Sequence, residues 1–302
     1  MSRSTPVWHP GISATESDAS VAALLEHGGR RLNEQCGAAA RREARFLLAG
    51  VLEINPGRLW LESDRRVSQP DRQEYTHRLE RRAHGEPLQY VEGRAAFREL
   101  WLQVDRAVMI PRPETEVLVG SVLEWSRGRH GLRAVDIGTG SGAIALSLAL
   151  EGPFENVVGV DISPQALKVA GENVAERALE SRIELRCGSF FDALRPGERF
   201  HVVVANPPYI ARDETDLLPA EVREWEPREA LYAGATGLEA LTRLVDEAPE
   251  FLEPEGLLAL EVAPQQVERT AACIRARTGY NEPRVIFDNA GRARVVLAER
   301  IK

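Results

Sequence analysis

Val135-Asp136-Ile137-Gly138-Thr139-Gly140-Ser141-Gly142 is an apolar run that breaks into alternating glycines and gives way to a second apolar run, Ala143 to Leu150. Glycine lets the backbone turn tightly and approach a ligand closely. The stretch therefore reads as strand, turn and helix, with a strand over Arg133 to Ile137 and a helix over Ala143 to Ala149. The order repeats downstream. Val157 to Val160 is a strand, and Ser163 caps a helix with Pro164 at its first position. Ile183 to Cys187 and His201 to Ala205 are strands. Gly237 to Leu252 is a helix ended by Pro254-Glu255-Gly256, Leu257 to Val262 a strand and Gln266 to Arg277 a helix. Such alternation predicts a mostly parallel sheet with helices on both faces. Val285 to Phe287 and Arg294 to Ala298 flank Asn289-Ala290-Gly291, a hairpin signal that adds one antiparallel strand at the edge.

The turn has the spacing G-x-G-x-G, which is not the dinucleotide pattern G-x-G-x-x-G. Asp161 ends the next strand, where an acidic side chain can accept both hydroxyls of a ribose. That suits an adenosine-containing ligand. The fourth strand ends in Asn206-Pro207-Pro208-Tyr209. Neither proline has a backbone N–H, and the first bars Asn206 from helical geometry, so the strand stops in a stiff corner. The Asn206 side-chain oxygen and the Pro207 carbonyl can accept the two hydrogens of a flat NH2 group, and the Tyr209 ring can stack on its face. The missed dinucleotide spacing and this corner, at the switch point of the sheet, favour S-adenosylmethionine over a nicotinamide dinucleotide. After the third strand, in Gly188-Ser189-Phe190-Phe191-Asp192, a ring can stack beside adenine. Spacing does not say which phenylalanine faces in.

Upstream the pattern is helical. The residues up to about Ala14 are expected to be disordered. Val21, Leu24, Leu25 and Leu32 lie at helical spacing, and Ala38 to Glu53 forms a second helix that stops at Asn55-Pro56-Gly57. Ser68, Pro70 and Asp71 open a third, running to about Ala83, with a charged outer face of Arg72, Arg78, Glu80, Arg81 and Arg82. That face is either a solvated surface or a docking surface. Tyr90 to Val104 alternates loosely and predicts a hairpin between two domains.

Composition excludes several classes. The 302 residues are 43% hydrophobic, in the range of soluble globular proteins. No apolar run reaches membrane-spanning length, and the N-terminus lacks the apolar core of a signal peptide. Cys36, Cys187 and Cys273 are scattered, which fits a reducing cytoplasm and argues against structural zinc. Net charge is −8; residues 1–100 carry 15 Arg against 14 acidic residues, so the acidic excess lies in the later part. A basic face for nucleic acid is not expected.

Further blocks carry a resemblance: Gly85-Glu86-Pro87-Leu88-Gln89-Tyr90, Ile110-Pro111-Arg112-Pro113-Glu114-Thr115-Glu116, Glu226-Pro227 with Ala230-Leu231, Gly237-Leu238, Glu261 with Gln265, and Arg292 with Arg294. From about residue 41 onward the chain resembles the peptide chain release factor glutamine methyltransferases. These bacterial enzymes methylate the Gln of a Gly-Gly-Gln tripeptide. Departures are Tyr90-Val91-Glu92-Gly93, Phe97-Arg98-Glu99, and Ser189-Phe190 where the family often has Asp and Trp.

The resemblance implies a Rossmann-like S-adenosylmethionine-dependent methyltransferase sheet, an α/β fold with a C-terminal antiparallel hairpin, behind a small N-terminal helical domain. Residues 1–88 are expected to recruit the protein substrate, 89–108 to form a hairpin linker and 109–302 to form the methyltransferase domain. Gly138, Thr139, Gly140, Ser141, Gly142, Asp161, Phe190 and Asn206 would hold the cofactor, which leaves as S-adenosylhomocysteine. Asn206, Pro207, Pro208 and Tyr209 would bind the glutamine amide, with Asn206, Pro207 and Tyr209 catalytic. The six histidines fall outside these blocks and no metal is expected. The expected partner is a release factor met by a cytoplasmic monomer, with no direct nucleic-acid or membrane contact. An amino-group DNA or RNA methyltransferase would share the corner, since flipped adenine also presents a planar NH2; the acidic catalytic half and the absence of a basic recognition domain stand against it. A non-catalytic adaptor would not need both ligand motifs.

Overall fold

The computed structural model describes residues 19–302, so the expected disorder up to Ala14 and the reading of the N-terminus lie outside the described residues. The chain divides into two units, one ending at Glu92 and the other Gly93–Lys302.

The first unit is helical. Ser20 caps the helix Val21–Arg31, its Oγ accepting from the Ala23 N–H at 3.3 Å. The helix Ala40–Val51 follows, then a 3-10 segment Pro56–Glu62, then the helix Gln69–Ala83. Ser68 caps the last, accepting from Asp71 N at 3.3 Å and donating to its carboxylate at 2.7 Å. The apolar stripes meet in a core of Val21, Leu32, Leu47, Leu48, Leu59 and Leu79 around a buried Tyr75. A Cβ on Gly28 would lie 2.1 Å from the Tyr75 hydroxyl, so only glycine fits there.

The charged face of the third helix is largely tied up within the unit. Arg82 is 3% exposed and its Nε donates to Glu43 at 2.6 Å, while Arg81 makes two bonds to Glu86 at 2.7 and 2.8 Å. Glu80 receives Arg31, and Arg78 donates to Glu74. Helical spacing gives the face of an arginine but not the carboxylate that another segment brings to it.

The predicted hairpin over 90–104 is shorter. Leu88–Glu92 is one turn of helix, and the hairpin itself is β1 (Arg94–Phe97) and β2 (Leu100–Gln103).

The second unit carries a seven-stranded sheet: β3 (Leu132–Ile137), β4 (Phe154–Asp161), β5 (Ile183–Cys187), β6 (Phe200–Ala205), β7 (Leu252–Glu261), β8 (Arg284–Phe287) and β9 (Ala293–Glu299), in the order β5-β4-β3-β6-β7-β9-β8. The first five are parallel. Alternate residues feed two cores. Ala134, Val202 and Val204 pack under the helices Pro113–Trp125, Ala143–Glu151 and Pro164–Glu176. Val135, Val203 and Ala205 pack under Glu239–Phe251 and Val267–Arg275.

Two details differ from the sequence reading. The antiparallel strand β9 inserts between β7 and β8 and so lies one place in from the edge, where both its backbone faces are paired. Pro254-Glu255-Gly256 does not separate helix from strand, because β7 starts at Leu252 and absorbs these residues as a bulge: Leu252 pairs with Phe200, Leu257 with Val202. A bulge tolerates a proline and the positive φ of Glu255 (60°).

Candidate active site

Register brings the glycine turn, Asp161 and Asn206 together. Ile137 is opposite Val160 on one side and Ala205 on the other. The next residues of the three strands, Gly138, Asp161 and Asn206, therefore emerge side by side at the carboxyl edge, where strand order reverses.

Gly138, Gly140 and Gly142 have φ of 78°, 54° and 82°, left-handed values that explain the alternating glycines. The turn is pinned from both ends. The N–H groups of Gly138 and Thr139 donate to Val160 O at 2.8 and 2.9 Å, and Gly140 N–H donates to Asp161 Oδ2 at 2.9 Å. Asp161 Oδ1 also accepts from Ser163 N–H at 2.9 Å. The Ile162 N–H is a third donor to this carboxylate, whose two oxygens together offer about four acceptor directions. Burial raises the Asp161 carboxyl above its ordinary range, against the pull of those N–H donors. Beneath the turn, Asp136 is fully buried and accepts from the Thr139 hydroxyl at 2.7 Å and Ala145 N–H at 3.2 Å. Burial pushes Asp136 up to about 7.

These elements enclose a cavity of about 470 Å³. Its wall includes Gly138, Thr139, Gly140, Ser141, Asp161, Phe190, Asn206, Pro207 and Pro208, whereas Gly142 and Tyr209 do not line it. Gly142 instead opens the helix behind the turn. The choice between the two phenylalanines is resolved. Phe190 lines the cavity under the Arg243 guanidinium, 4.7 Å from the ring centre, while Phe191 is buried in the core.

The Asn206 corner is held from several sides. Tyr209 O accepts from the Gln266 amide at 2.7 Å, and Ile210 bridges to Tyr232. Burial raises the Tyr209 hydroxyl to about 12, with Glu261 adding to the shift. Asn206 Nδ2 donates to Thr115 Oγ1 at 3.0 Å, and the Thr115 hydroxyl donates to Glu261 Oε2 at 2.7 Å. Glu226, whose carboxyl burial raises, pairs with Arg112, and the adjacent Pro111 and Pro227 both line the cavity. Thr115, Arg243 and Glu261 were given no role by the sequence reading; Thr115 and Glu261 stood only among the resemblance blocks. Of the histidines, His201 accepts from Arg133 N–H at 3.0 Å and so ties β6 to β3. Among the described residues no cluster of His, Cys, Asp and Glu could hold a metal ion, and no helix is long and apolar enough to cross a membrane.

The arrangement offers a glycine-lined floor, a carboxylate with spare acceptor capacity, an aromatic wall and an amide at the far end. It fits a ligand with a ribose, a flat base and a reacting end near Asn206. Comparison with known proteins gives the family. A family described as PrmC N-terminal domain matches residues 23–93, and one described as Methyltransferase domain matches residues 129–290. A protein of Moorella thermoacetica named release factor glutamine methyltransferase is 42% identical over 260 residues, covering 86% of this chain and 91% of its own length. Its namesake from Koribacter versatilis is 35% identical over 260 residues with the same coverage, 86% and 91%. A solved methyltransferase structure from Pyrococcus furiosus is 17% identical and superposes with a TM-score of 0.51 over 75% of this chain and 100% of its own, which shows the fold.

Proposed function

The chain belongs to the release factor glutamine methyltransferases, and from that premise we propose that it methylates the side-chain amide of the Gln in the Gly-Gly-Gln motif of peptide chain release factors, with S-adenosylmethionine as donor. The observation that carries this reading is the placement of Gly138, Asp161 and Asn206 around one cavity.

The residues present fit the donor. Asp161 would accept the ribose hydroxyls, Phe190 would face the adenine and the turn from Gly138 to Ser141 would lie against the rest. Bound there, the donor supplies a methyl group on a positively charged sulfur. An amide nitrogen is a poor nucleophile because its lone pair is delocalised. Asn206 Oδ1 and the Pro207 carbonyl would accept the two hydrogens of the glutamine NH2, leaving the nitrogen lone pair as the one feature free to turn into the cavity. The stiffness of the two prolines makes this positioning and electrostatics, set before substrate arrives. The N-terminal unit would recruit the release factor and do no chemistry; its helices carry no ligand motif.

Mass spectrometry of a release factor after reaction with enzyme and S-adenosylmethionine tests the proposal. One added methyl on the peptide bearing Gly-Gly-Gln is expected. No methyl there, or methylation of DNA in a parallel reaction, would refute it.

A further inference from the structure

An asparagine amide has two ends of nearly equal shape. If Asn206 is to accept from a substrate NH2, its Oδ1 must face the cavity; reversed, it would set one NH2 against another. Something has to choose between the two orientations.

Register again supplies the neighbour. Ala205 of β6 is opposite Leu260 of β7, so Glu261 stands next to Asn206. Thr115 comes from the first turn of the helix Pro113–Trp125, 91 residues before Asn206. Thr115 and Glu261 are 4% and 1% exposed, so water does not compete for their hydrogen bonds. A carboxylate only accepts, and a hydroxyl has a single proton. Once the Thr115 proton is given to Glu261 at 2.7 Å, the Thr115 oxygen can only accept. The group it meets must then be a donor, and it is Asn206 Nδ2, at 3.0 Å. The amide oxygen is left on the opposite side.

We propose that Thr115 and Glu261 are positioning residues for methyl transfer, acting through Asn206 to hold its Oδ1 toward the NH2 of the acceptor. The inference rests on the function proposed above and adds to it how the acceptor site is oriented. Thr115 lines the cavity and Glu261 does not, so the negative charge stays one hydrogen bond back from the reacting groups. Burial, with Glu114, raises the Glu261 carboxyl to about 7, while the Thr115 hydrogen bond, Arg294 and Arg112 favour its charged form; above that pH it only accepts.

The test uses the full-length enzyme with S-adenosylmethionine and intact release factor. Thr115→Val keeps the shape and removes the hydroxyl; Thr115→Ser keeps the hydroxyl. Single-turnover rate, KM for release factor, cofactor affinity and melting temperature are measured for each. Thr115→Val is expected to slow turnover on the order of 10- to 100-fold, the range for groups that orient a first contact. KM and cofactor affinity should stay near the wild-type values, and Thr115→Ser should restore most of the rate. Glu261→Gln gives a second reading if Thr115→Val folds poorly. Its amide can donate as well as accept, so the Thr115 proton is no longer committed, and turnover should fall with cofactor affinity retained. Wild-type turnover in Thr115→Val or in Glu261→Gln, equal loss in the Ser and Val variants, or a loss carried by KM or cofactor affinity would overturn the inference. Failure of the unsubstituted enzyme to methylate release factor is a different result, and would overturn the function itself.

Discussion

The rings of Phe191 and Phe251 are stacked, with centroids 4.8 Å apart and planes 5° from parallel, and this contact commits the preceding Phe190 to the cavity. Phe190 has a φ of 52°, unusual for a residue with a bulky side chain, so the chain reverses locally to send neighbouring rings to different places. Phe190→Ala is expected to weaken cofactor binding by about 1–3 kcal/mol, the usual worth of stacking a base on a ring. Phe191→Ala should instead lower stability, by roughly 3–5 kcal/mol. Calorimetry with S-adenosylmethionine and urea unfolding distinguish them; unchanged cofactor affinity in Phe190→Ala would remove that residue from the site.

Asn206 is expected to be the residue whose loss slows catalysis most. Asn206→Ala removes the acceptor and should cost about 2.7–4 kcal/mol, or roughly 100- to 1000-fold in rate. Asn206→Asp keeps an acceptor but adds a charge that attracts the sulfonium in the ground state. It should bind cofactor at least as well and turn over more slowly, because ground-state stabilisation does not lower a barrier. Single-turnover methylation measured beside cofactor binding checks both. Near-normal turnover in the two variants would make the corner purely structural.

Asp161 already accepts from Gly140 and Ser163, so its substitution affects the turn as well as the ribose. Asp161→Ala should weaken cofactor affinity by about 1.5–3 kcal/mol, the worth of hydrogen bonds to a charged group. Asp161→Asn, which keeps one acceptor, should lose less. Equal affinity in both variants and wild type, by calorimetry, would contradict the assignment.

Stability of the ligand-free protein should fall as pH rises from about 4 to about 7. Asp136 is held by burial at about 7, above its ordinary 3.8, so between those values the folded state binds more protons than the unfolded one. Stability is full below the unfolded value and is lost as pH rises through the folded one. Glu261, raised by burial from 4.5 to about 7, acts in the same sense. Glu198, held down to about 2 by its bond to Arg186, acts oppositely but mainly below this window. Asp136→Asn keeps an oxygen for Thr139 and Ala145 and should flatten the slope. Melting temperatures across pH 4–8 that are as steep in the variant as in the wild type would contradict this.

A chain beginning at Gly93 should bind S-adenosylmethionine with normal affinity, because every residue lining the cavity follows that point. It should methylate intact release factor poorly, with the loss in KM. Full activity on the intact factor would show that the helices Val21–Arg31, Ala40–Val51 and Gln69–Ala83 do not recruit it.

Much of this protein is local in origin and was legible in the sequence. The strand and helix periods, the Ser68 and Ser163 caps, the alternating glycines and the proline-stiffened end of β6 each follow from a few neighbouring residues. The alternation of strands and helices then leaves few topologies, and register sets Gly138, Asp161 and Asn206 abreast. Other features depend on which distant segments meet. Arg82 turns inward because Glu43, 39 residues earlier, waits for it. Pro254 sits inside β7 because β6 pairs with the strand on both sides of a bulge. Phe191 rather than Phe190 is buried because Phe251 offers it a flat partner. The amide of Asn206 is oriented by Thr115 and Glu261, residues 146 apart in the chain. Periodicity reports which face of an element is apolar. It carries no information about the partner a polar side chain will meet, because that partner is chosen by packing between elements, and there the tertiary structure decided.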